Sequence, residues 1–179
     1  MRYTEAMSAT DSLLQVNTLA THTALTVWSA SSDFLIVIVL VLAFVLFSRY
    51  VGRGPFVGVL LAFYASYALF VAFPYGAALP TAPPATALFA RVGLYLAFVI
   101  LFYIILRRVV VSDFLYIGIF GLLILSFLAT GFLLALAFNV FPVSGLYSFT
   151  APIAMLFEPK QYFFWWFLAP AVGLFFLAR

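Results

Sequence analysis

Four apolar stretches follow one another along the chain, Phe34 to Phe47, Phe56 to Phe73, Thr86 to Leu106 and Phe114 to Phe141, with short polar or turn-forming segments between them. Apolar runs of about 18 residues or more read as helices that cross lipid. The first run contains no polar side chain but covers only about 21 Å at about 1.5 Å per residue. It therefore needs its flanks, with Ser31, Ser32 or Asp33 capping the first free N–H groups, and the span becomes 33–50. Gly52, Gly54 and Pro55 in "SRYVGRGP" break the helix, so that span 56–73 returns antiparallel to it. "PYGAALPTAPPA" holds four prolines and reads as an extramembrane loop. Span 86–106 follows, closed by Arg107 and Arg108, and Ser112 or Asp113 in "VVVSDF" is the expected N-cap of the fourth span.

That fourth run, 114–141, is about 42 Å long if wholly helical, more than the bilayer core, which leaves tilt, a kink near Gly131 or projection beyond the lipid. After Pro142, "VSGLYSFTAPIAMLFEPKQ" is too polar and too broken to span. "YFFWWFLAPAVGLFFLAR" then carries an interfacial aromatic cluster at Tyr162, Trp165 and Trp166. Residues 163–178 form either a short fifth span kinked at Pro170 or a helix lying in the interface. Arg179, placed as a snorkelling anchor, favours the span. The expected fold is all-α: a polytopic helical membrane protein with four long transmembrane helices and a short fifth.

Residues 1–32 form a separate polar extension. Leu13, Leu14, Val16, Leu19, Ala20 and Ala24 fall loosely on one helical face, which suits either an interfacial helix or a weakly docked arm. Glu5, Asp11, Gln15 and Asn17 interrupt any apolar core of a secretory signal, so the segment is not read as a cleaved leader.

Composition narrows the chemistry. With 68% hydrophobic and 7% charged residues in 179, the solvent for most of the chain is lipid. A net charge of +3 is too small for a phosphate-tracking surface, so nucleic acid is excluded as a partner. Cysteine is absent, which removes disulfides and thiolate chemistry. The single histidine, His22, lies in the polar extension, and Asp33, Asp113 and Glu158 sit at helix ends. No catalytic, cofactor-binding or metal-ligating constellation emerges; the expectation is a non-enzyme without cofactor or metal.

The remaining charges set orientation. Short loops rich in Lys and Arg stay cytoplasmic. Arg49 and Arg53 follow the first span, Arg107 and Arg108 follow the third, and the proline loop is uncharged. These arginines, with Arg179, are topology anchors that place residues 48–55 and 107–113 inside and the amino terminus outside. Arg91 breaks the pattern by lying inside the third span, about 7 Å below its outer boundary. A charge at the bilayer centre costs roughly 2.5 to 3.5 kcal/mol, less near an end. Arg91 either snorkels or pairs with Asp33 or Glu158, both on the outer side. Gly58 and Ala62 in the second span, and Gly118, Gly121 and Gly131 in the fourth, are small residues that let helix backbones approach, within the chain or at a homo-oligomer seam.

The order of these features resembles the bacterial colicin V production protein family: "SSDFLIVIV" opening the first span, "RYVGRGPF" as a basic glycine turn, "ILRRVV" ending the third span, "SDFLYIGIFGLL" opening the fourth, and "YSFTAP" with Ser148 and Pro152 beyond it. The resemblance covers about residues 33–152. It implies a multi-pass protein of the bacterial inner membrane tied to envelope maintenance, secretion or toxin export, and it supplies no catalytic residues. The partners expected are the lipid bilayer, further copies of the chain or other membrane proteins. A small oligomeric channel or transporter subunit is the alternative, with the path between subunits.

Overall fold

A computed structural model describes residues 31–109, 117–141, 143, 146–147 and 149–177. The chain divides into two compact units, Met1–Ile36 and Val37–Arg179, and the packing that follows is that of the second. Every regular element among the described residues is helical: α1 (Ser31–Tyr50), α2 (Arg53–Val71), a 3-10 turn (Gly76–Ala78), α3 (Pro84–Val109), α4 (Ile119–Asn139), α5 (Ala151–Phe157) and α6 (Lys160–Leu177). Helices α1 to α4 are each long and apolar enough to cross a membrane. The fold is thus the expected all-α bundle. Of the polar extension, residues 1–30 lie outside the described residues, and Ser31 and Ser32 open α1.

Boundaries shift for physical reasons. α2 starts at Arg53 rather than Phe56, because Pro55 falls in the first turn, where N–H groups have no intrahelical acceptor and a missing one costs nothing. Gly52 alone makes the break, at φ +114, a left-handed conformation open to glycine. α3 starts on Pro84 by the same logic and runs past Arg107 and Arg108, whose charges suit its carbonyl end. α4 has 21 residues, about 32 Å, rather than the 42 Å expected from the apolar run. Ile117 and Gly118 precede it unwound, and it passes through Gly131 without interruption, so the length mismatch is removed by shortening. The expected caps Ser112 and Asp113 lie outside the described residues. α5 forms within the stretch that the sequence reads as broken.

The register of each pair follows from single contacts. Phe44 of α1 meets Phe56 and Phe63 of α2, with ring centroids 6.0 and 6.1 Å apart. α3 runs antiparallel to α2: a Cβ on Gly58 would lie 4.0 Å from Tyr103, and the Tyr95 hydroxyl donates to the Phe63 carbonyl at 3.1 Å. α4 runs parallel to α2, Phe132 against Phe63 and Tyr64, and Phe141 against Phe70. α6 runs antiparallel to α4 along its length, Trp166 on Gly131, Gly173 on Leu125 and Leu128, Leu177 on Gly121. At 18 residues it is about 27 Å long, so it accompanies α4 through most of its depth.

Pro170 leaves α6 without one N–H and clashes with the preceding turn. In the turn before Pro170 the Tyr64 hydroxyl donates to the Phe167 carbonyl at 2.6 Å, a polar tie from α2 next to the weakened part of the ladder. The central core is accordingly aromatic and sits where α2, α4 and α6 meet: Phe56, Phe63 and Phe132 are buried, with Tyr64 and Phe167 packed beside them.

Candidate functional site

The helix directions gather four arginines at one end of the bundle. Arg49 is in the last turn of α1, Arg53 opens α2, and Arg107 and Arg108 are in the last turn of α3, all at the end where α4 begins and α6 finishes. Arg179 lies outside the described residues. Between the end of α1, the Gly52 turn and the first turn of α4 is a cleft of about 420 Å³. Ser48, Arg49, Gly52 and Arg53 form its polar side, and Val45 and Leu122 its apolar wall.

Three features of this cleft go beyond two charges. The Ser48 side chain is 2% exposed, and its Oγ has no hydrogen-bond partner. α2 and α4 both begin here, each with a glycine, which has no side chain to cap with, at its N-cap position. Helix starts carry partial positive charge and unpaired N–H groups, so they add to the arginines in favouring an anion. The φ of Gly52 brings bare backbone to the cleft wall.

The opposite face is organised differently. Arg91 lies in the second turn of α3 and lines a cleft of about 340 Å³ with Phe70, Phe73, Gly76 and Leu94. Glu158 is exposed at the junction of α5 and α6, and among the described residues it forms no ion pair with Arg91. Asp33 is buried in the first turn of α1, within the Met1–Ile36 unit. Asn139, at the end of α4, donates to the carbonyls of Ala135 and Phe157 at 3.0 and 2.8 Å, and the Trp166 indole donates to Leu156 O at 3.1 Å. These bonds fasten α5 to α4 and α6.

Between the two faces, Ser66, Ser126 and Thr130 are fully buried. The Thr130 hydroxyl donates to the Ser126 carbonyl at 2.9 Å; the Ser66 and Ser126 hydroxyls have no partner. Among the described residues, no three His, Cys, Asp or Glu side chains stand close enough to hold a metal ion.

The small residues singled out by sequence divide three ways. Gly58 and Ala62 are buried in α2, with Gly58 facing α3. Gly121 and Gly131 are covered by α6; a Cβ on Gly121 would sit 3.5 Å from Leu177, and one on Gly131 would collide with the Trp166 ring. Gly118 is instead exposed, and a Cβ placed on it would meet nothing within 4 Å, because it precedes the helix rather than lying in it. The corresponding contact from α6 is Gly173, where a Cβ would lie 2.6 Å from Leu128. Its small size opposite bulky leucines was the available signal.

No protein-family model, curated protein or solved structure matches the chain.

Proposed function

We propose that the protein is a non-enzymatic integral component of the bacterial inner membrane that works by packing laterally against further copies of itself or against other membrane proteins. The observation that carries this reading is the contrast between its polar and apolar surfaces. Among the described residues, the polar groups enclosed in the middle of the spans are hydroxyls: those of Tyr64, Tyr95 and Thr130 bond to backbone carbonyls, and those of Ser66 and Ser126 have no partner, while the buried carboxylate of Asp33 stands at the start of α1. No carboxylate or imidazole lies in the middle of a described helix, where proton relays and ion paths place them. By contrast, α1 and α3 keep large side chains outward: Leu35, Ile38, Leu42, Ile100 and Ile104 are all about half exposed or more. The basic face, holding Arg49, Arg53, Arg107 and Arg108, is cytoplasmic by the excess of positive charge on that side. α6 is a fifth span in this reading, supported by its antiparallel course along α4. An envelope, secretion or export setting follows from the resemblance to colicin V production proteins.

Reconstitution in liposomes, combined with affinity purification from detergent extracts, tests this. Retention of a defined membrane partner or a stable homo-oligomer, without solute or ion flux, is the expected result. Flux that scales with protein content would instead favour a small oligomeric channel or transporter subunit.

A further inference from the structure

We propose that the basic cleft is a phosphate-binding site that holds the phosphate of a membrane phospholipid, its acyl chains descending between α1 and α4. Topology alone needs positive charge near the end of a span and nothing more. It does not account for a cleft of about 420 Å³ in which Arg49, Arg53, Gly52 and the unpartnered, 98% buried Ser48 share one wall with the starts of two helices. The groups present match a phosphate in number and kind. Guanidinium forks bind phosphate oxygens through paired, charge-assisted N–H bonds. The helix starts, each behind a glycine, supply a field of the same sign. Gly52 removes the Cβ that would hold an anion off the backbone, and Ser48 lines the cleft with a hydroxyl that has no other hydrogen-bond partner.

Depth favours the lipid as the source. Arg49 and Arg53 flank the end of one span and the start of the next, which is the level of the headgroups. Below them, Val45, Ile119 and Leu122 give the cleft an apolar floor that a free phosphate would not use but a glycerol backbone and the first methylenes of an acyl chain would. This inference requires membrane insertion but not the lateral-packing role, so either can fail without the other.

Native mass spectrometry of the full-length chain in detergent, titrated with phosphatidylglycerol, with diacylglycerol lacking the phosphate, and with inorganic phosphate as competitor, tests the site. Phosphatidylglycerol is expected to remain bound, diacylglycerol to be lost, and millimolar inorganic phosphate not to displace the lipid. Arg49→Gln with Arg53→Gln is expected to weaken retention at least about tenfold, and Ser48→Ala about threefold. Arg107→Gln with Arg108→Gln, an equal change of charge on the same face, is expected to leave it unchanged. Because Ser48→Ala removes an unpartnered hydroxyl, it folds even if the double arginine variant does not. Equal retention of diacylglycerol, an equal loss from the Arg107 and Arg108 substitutions, or unaltered binding by Ser48→Ala would overturn the proposal. Ready displacement by inorganic phosphate would overturn the lipid as its source.

Discussion

Helices α3 and α4 are both long and strongly apolar, yet 61% of the most apolar stretch of α4 is buried inside the bundle against 11% of that of α3. In water, the more apolar helix would be drawn inside. In lipid no such force separates them, and close packing, together with hydrogen bonds between helices, decides instead. α4 carries Gly121, Ser126, Ala129, Thr130 and Gly131, which let α6 approach and let Phe132 reach the rings of α2. α3 offers Leu101, Ile104 and Ile105 to the outside and approaches α2 along one side, through Tyr95, Val99 and Tyr103. Small residues set among the bulky ones, rather than apolarity as such, distinguish the enclosed helix from the outer one.

Substitutions sharpen the contrast, and their effects should be ranked by how tightly the site is packed. Gly131→Leu drives a side chain into the Trp166 ring and should destabilise the fold by about 3 kcal/mol, separating α6 from α4 in a denaturant titration followed by helical circular dichroism. Phe132→Ala, at a fully buried position, leaves a cavity among three aromatic neighbours; the cavity contribution alone is about 2 kcal/mol in the same titration. Tyr64→Phe removes the donor to Phe167 O beside Pro170 and should cost about 1 kcal/mol, accompanied by faster amide exchange in the second half of α6. Ile104→Ala on the outer face of α3 should change stability by less than about 0.5 kcal/mol. A loss at Ile104 as large as that at Phe132 would erase the distinction between the two helices.

The four long runs were legible in sequence because lipid imposes length and apolarity without asking for a periodic pattern. Where helices begin was less legible: Pro55 and Pro84 read as breakers, yet each stands in a first turn, where a missing N–H is harmless. The partnership of α4 with α6 was not legible at all. A glycine in an apolar run announces room for a close approach but not what fills it, and Gly118 shows that the same residue type also serves outside the helix. The basic cleft was half visible. Arg49, Gly52 and Arg53 stand together in the chain, whereas Ile119 and Leu122 reach them only because α4 runs parallel to α2 and starts on the same face.

All of this depends on the bundle threading a membrane with its arginine-bearing turns on one side and its proline loop and α5 on the other. The natural absence of cysteine makes the test clean, since a single thiol can be placed at Tyr50, Tyr75 or Tyr162, all exposed. With a membrane-impermeant maleimide on intact cells, Tyr75→Cys and Tyr162→Cys are predicted to react directly, and Tyr50→Cys only after permeabilisation. Equal reaction of Tyr50→Cys and Tyr75→Cys from outside would contradict the account.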